Sequence, residues 1–241
     1  MDLNFKAAKQ LTQDEMVKML NSLYKQCISG ILNVSPPINV FSEKYLTRYK
    51  DIQHAAKAML NNQVKKCTTS GFITGFGGAL TMPVTIPANL ASVLYLQMRM
   101  IASVAYMSGY DLQSDEIQTF VYACLAGVSV NEVLKKFGVK FGQKFANASI
   151  KKIPAKVLTR INQRLGFRFI TKFGEKGLVN LGKMIPVVGA GINGSLDYLE
   201  TKAIAVRAYK TFIENDFSVG DTLVIEIDDE PTIKQTDTID S

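Results

Sequence analysis

Asp197 and Glu200 lie three residues apart in a stretch that reads as helix, with Thr201 beside them and Arg207 further along. Residues three or four apart share a helix face. The two carboxylates could therefore act as general acid and base, or hold a metal ion. The competing reading is structural, because an acid on an otherwise apolar helix needs a base to offset the cost of burial. Arg99 is the only charge in ANLASVLYLQMRMIASVAYM. The residues favour an Arg99–Asp197 or Arg99–Glu200 pair over a catalytic trio.

Other reactive groups are sparse. His54 is the only histidine, so neither a Ser/His/Asp nor a Cys/His arrangement can be assembled. Cys27, Cys67 and Cys124 are far apart and lack CxxC spacing. A disulfide framework or structural zinc site is disfavoured, and reduced, partly buried thiols are expected. GAGING at 189–194 matches GxGxxG, but nucleotide binding needs a preceding strand and a βαβ unit. Val187 and Val188 after Pro186 are too short for that strand, so tight helix packing is the expected use of these glycines. No cofactor and no metal is implied.

The main functional lead is a basic run. Residues 135–176 hold twelve bases and one acid, Glu175. Lys136, Lys140 and Lys144, then Lys152, Lys156, Arg160, Arg164, Arg168 and Lys172, recur at four-residue steps, with Phe, Ile and Leu between them. Such helices bind anionic membrane surfaces, each base contributing about 1 kcal/mol. The same face could meet nucleic-acid phosphates. The Phe residues sit at core-like positions rather than forming a stacking platform, which favours lipid. A solvated basic face over a Phe core is the plain alternative.

The elements that must position these groups are helical by periodicity. Met16, Leu20, Leu23, Cys27 and Ile31 mark a helix over 13–32, with Thr12 and Glu15 as a capping box. Pro36 and Pro37 place a loop at 33–41, after which Ser42 caps a helix to about Lys66. Cys67–Met98 is a 32-residue run without charge, first Gly/Pro-broken, then helical over 88–107. A 20-residue helix spans about 30 Å, enough for a bilayer core. Against a membrane span, Asn89, Ser92, Arg99, Ser103 and Tyr106 fall on one stripe with only Gln97 opposite. That pattern suits the central helix of a bundle. Ser114 caps a helix over 115–126 and Ser129 one over 130–147. Pro154 and Gly166 divide the basic run, and a last helix covers 195–214.

Of 241 residues 47% are hydrophobic, which excludes bulk disorder. The net charge of +7 is uneven, since residues 216–241 carry eight acids and one base. In that tail Leu223, Ile225 and Ile227 alternate as in a short strand. Residues 1–20 mix charges and lack the long apolar stretch of a signal peptide, so a cytoplasmic location is expected.

Residues 71–110 carry Gly75, Gly77, Gly78, Pro83, Pro87, Gln97, Arg99, Gly109 and Tyr110, followed by Asp111. With VYACLAGVSVNEVLKKFGVKFGQK, and with Gly189, Gly194, Asp197, Thr201, Arg207 and Ala208 in IPVVGAGINGSLDYLETKAIAVRAYKTF, this order of segments resembles the EcsC family over about 45–214. Asn89 stands where that family commonly has Asp. The resemblance implies a helical protein, often linked with membranes or with an ABC-transporter operon, and supplies no catalytic mechanism.

The expected fold is an all-α single-domain bundle (1–215) around the 88–107 helix, with an acidic extension (216–241). The leading function is non-enzymatic and peripheral. The basic face docks on anionic lipid, and Gly/Pro-broken apolar segments insert or meet a membrane-protein partner. Nucleic acid is disfavoured, and no oligomeric state follows. An enzyme or lipid-binding protein with Arg99, Asp197 and Glu200 in a polar pocket is one alternative. A membrane-perturbing effector is the other.

Overall fold

The computed structural model describes residues 12–67, 88–139, 150, 153–173 and 192–220. Among these residues the chain is all-α. Its eight helices are α1 (Gln13–Ser29), α2 (Ile38–Arg48), α3 (Ile52–Cys67), α4 (Ala88–Met107), α5 (Asp115–Leu125), α6 (Val130–Lys136), α7 (Ala155–Phe173) and α8 (Ile192–Phe212). The Gly/Pro stretches at 68–87 and 174–191 and the alternating tail segment lie outside the described residues.

Helix α4 has the expected boundaries and the expected central place. It packs against α1, α2, α3, α5 and α8. From Ala91 to Ala105 every residue except Val93 is buried. The polar stripe is buried with them at Ser92, Arg99 and Ser103, as is Gln97 opposite; the Asn89 side chain is outside the described set. A helix enclosed on all sides is apolar all round because each face meets a neighbour. Among the described residues no single helix is long and apolar enough to cross a membrane; α5 and α6 together have the length and composition but meet at 113°.

Local signals explain most boundaries. Thr12 and Glu15 form the capping box of α1. The helix stops at Ser29 rather than 32, because Gly30 takes φ +78°. Ile31 leaves the helix and bridges to Ser35. A Cβ on Gly30 would stand 2.5 Å from the Ser35 carbonyl oxygen, so only glycine fits.

The next helix begins earlier than expected, at Ile38 behind Pro37, and Ser42 lies buried inside it rather than at its cap. Proline tolerates a helix start, where no intrahelical acceptor awaits its missing N–H. The chain breaks again at Tyr49–Asp51, giving two helices where one was expected.

Ser114 and Ser129 cap α5 and α6 through Ile117 N and Glu132 N, as expected. Helix α6 ends at Lys136, not 147, where Gly138 at φ +77° closes it. Pro154 precedes α7, but Gly166 does not divide it. A Cβ there would lie 3.0 Å from Val17 Cγ2 and 3.2 Å from the Gln13 carbonyl oxygen. This glycine serves the close approach of α1 to α7. Past α8, Phe217 is buried against Phe120, and its carbonyl accepts from Asn131 N and Ser129 Oγ. The packed body thus reaches beyond residue 215.

Candidate functional site

On α7, four-residue spacing advances about 40° per step, so Lys156, Arg160 and Arg164 form a slowly turning row. All three are exposed, while Leu158, Ile161, Leu165 and Phe169 are buried against the core. The inner face packs on α1 and α5, which leaves the row facing outward. Phe167 departs from the amphipathic rule and is 52% exposed.

Beside this row, a cavity of about 270 Å³ lies between α6 and α7. Val133, Phe137 and Leu165 line it, together with the bases Lys136, Arg164 and Arg168. Arg168 is only partly available, since its Nε donates to the Ala126 carbonyl at 2.9 Å. Lys140, Lys144 and Lys152 lie outside the described residues, as does the Lys172 side chain.

The expected pairing of Arg99 with Glu200 is corrected. Its guanidinium is engaged by α1, by the turn before α2 and by the Phe41 ring of α2. It donates to the Cys27 carbonyl at 2.9 Å, to the Pro36 carbonyl and to Tyr95 Oη at 3.5 Å. It also stands 4.9 Å from the centre of the Phe41 ring. No carboxylate accepts from Arg99 among the described residues, so the Arg99–Glu200 pair is not formed. Asp197 lies in α8 with its side chain outside the described set. The alternative Arg99–Asp197 pair, and with it the Asp197 corner of the expected trio, lies outside the described residues. Backbone carbonyls have no side-chain signature, so these acceptors could not be read from residue types.

The other motif residues act as ties between helices. Gln97 Nε2 donates to Thr201 Oγ1 at 3.1 Å, joining α4 to α8. Tyr110 Oη donates to Asn215 Oδ1 at 2.6 Å, and its ring meets Phe212 edge-on. Asp111 accepts from Gln113 N at 2.9 Å, closing the turn after α4. Arg207 Nε donates to the Cys124 carbonyl at 3.1 Å. With Arg168 on Ala126, two arginines from two helices serve the C-terminal end of α5, where unpaired carbonyls carry partial negative charge. Gly194 falls in the first turn of α8. Gly77, Gly78, Pro83, Pro87 and Gly189 lie outside the described residues.

His54 also has a structural task. Its backbone N donates to Asp51 Oδ1 at 2.9 Å, and its ring Nδ1 lies 2.7 Å from the same oxygen. These contacts hold the Asp51 carboxyl below its ordinary value. Cys27 and Cys124 are buried free thiols, each pushed up to about 12 by burial. Among the described residues no group of three His, Cys, Asp or Glu side chains could hold a metal.

These observations define an all-α bundle around a buried helix, with an outward basic row and polar ties between its long helices. The chain belongs to the EcsC protein family, whose model matches residues 2–213. That match starts well before residue 45, so α1 and its turn are part of the family domain. No curated protein and no solved structure matches the chain.

Proposed function

We propose that this protein is a peripheral membrane-binding module that docks on anionic lipid through the outer face of α7. The observation that carries this reading is the exposed row Lys156–Arg160–Arg164 with the half-exposed Phe167 on the same helix. Charge attracts the row to an anionic surface, and an apolar ring beside it enters the headgroup boundary. Lys136 extends the charge across the α6–α7 cavity. Docking of this kind needs no catalytic group, in keeping with the Gln97–Thr201 tie between α4 and α8.

Co-sedimentation with vesicles of anionic or purely zwitterionic lipid tests the reading. Binding confined to anionic vesicles, and strongest at low salt, supports it. Equal binding to both, or none to either, contradicts it.

A further inference from the structure

A second cavity, of about 390 Å³, lies between α2, α3 and α4 beneath the 34–36 turn. It takes no residue from α7. Among the described residues four bases line it and no acid does: Lys44, Arg48, Lys66 and Arg99. Arg99 is 4% exposed, whereas Lys44 and Arg48 on α2 are exposed. The charge therefore runs from a buried guanidinium outward to two solvated side chains.

Two features at the inner end point to an anion. The first is the state of Arg99. Its acceptors are two carbonyls and a phenol hydroxyl, all neutral. A buried cation without a counter-charge is costly. Of the five N–H donors of a guanidinium, these three bonds leave two without an acceptor among the described residues. The second is Gln63, which lines the same cavity at 5% exposure. Its Nε2 is buried and donates to nothing among the described residues. Buried amides of this kind are almost always satisfied. The volume is that of a small-molecule site.

We propose that this cavity binds a phosphate group, with Arg99 and Gln63 at its floor and Lys44 and Arg48 at its mouth. A guanidinium matches phosphate geometry with paired donors, and the lysine adds a mobile point charge. Phe41 and Leu96 in the wall give an attached apolar body a place to lie. The phosphate is either a free anion or the headgroup of a lipid that enters the cavity one molecule at a time. This site is separate from the α7 face and does not depend on it.

The test is calorimetric titration of the full chain with three soluble probes. These are inorganic phosphate, monomeric dihexanoyl phosphatidic acid, and dihexanoyl phosphatidylcholine as the zwitterionic control. Saturable binding of phosphatidic acid or phosphate, but not phosphatidylcholine, is expected. Tighter binding of the phosphatidic acid assigns the lipid source, and equal binding assigns the free anion. The exposed double variant Lys44→Gln/Arg48→Gln, folded as judged by its unliganded Tm, should bind roughly tenfold more weakly or worse. Arg160→Gln/Arg164→Gln should bind like the parent, which separates this site from vesicle docking. No saturable binding of either anion, or binding unchanged in Lys44→Gln/Arg48→Gln, overturns the proposal.

Discussion

Gln97 and Thr201, each fully buried, share a 3.1 Å hydrogen bond that joins the central helix to the last one. The Gln97 Oε1 has no acceptor role of its own, since no donor reaches it among the described residues. Thr201→Val should therefore strand the whole amide and cost about 1–3 kcal/mol in urea unfolding. Adding Gln97→Leu should recover part of that loss, because two apolar groups leave nothing unsatisfied. Strict additivity of the two single losses would contradict a direct bond.

Gly30 sets the turn that brings the Pro36 carbonyl to Arg99. With φ +78° and ψ 176° it occupies a region open in practice only to glycine. Gly30→Ala should lower stability by more than about 2 kcal/mol, from backbone strain together with the collision at Ser35. A Tm equal to the parent's would show that the turn has another route.

The two buried thiols give a pH signature. Burial pushes both Cys27 and Cys124 from an ordinary 9.0 up to about 12. At pH 8 neither should react with a thiol reagent in the folded protein, while both should react in denaturant. The folded state holds these protons more tightly than the unfolded one. Their stabilising effect is complete below about pH 9 and is lost as pH rises from 9 toward 12. Fast labelling of Cys27 or Cys124 in the native protein would contradict this burial.

The acidic extension opposes the basic face by sign. Residues 221–241 carry seven acids and one base. Phe217 belongs to the core, so a truncation after residue 220 is the variant that spares the body. It should bind anionic vesicles more tightly than the full chain at low salt. Unchanged affinity would show that the extension does not screen the face.

Much of this architecture is legible in the side-chain pattern of the sequence. Helix α4, the capping box at Thr12 and the caps at Ser114 and Ser129 follow from apolar spacing and from hydroxyls that satisfy orphan N–H groups. The exposed stripe Lys156–Arg160–Arg164 follows from four-residue spacing. What escaped the pattern depends on backbone. Arg99 pairs with carbonyls that any residue type could supply. Gly166 reads as a breaker, yet it is a contact point with Val17 and Gln13. Pro37 opens a helix instead of extending a loop. The α2–α4 cavity draws on Lys44, Gln63 and Arg99, whose proximity is tertiary and leaves no local signature.

The docking face is tested most directly by removing its charge alone. The triple variant Lys156→Gln/Arg160→Gln/Arg164→Gln changes three exposed side chains and leaves the packed face of α7 intact. At about 1 kcal/mol per base, the loss is about 3 kcal/mol, or roughly 100-fold in partitioning onto anionic vesicles at low salt. Co-sedimentation of the triple variant beside the parent should show that drop with an unchanged Tm. A folded triple variant that binds anionic vesicles as tightly as the parent would contradict the account.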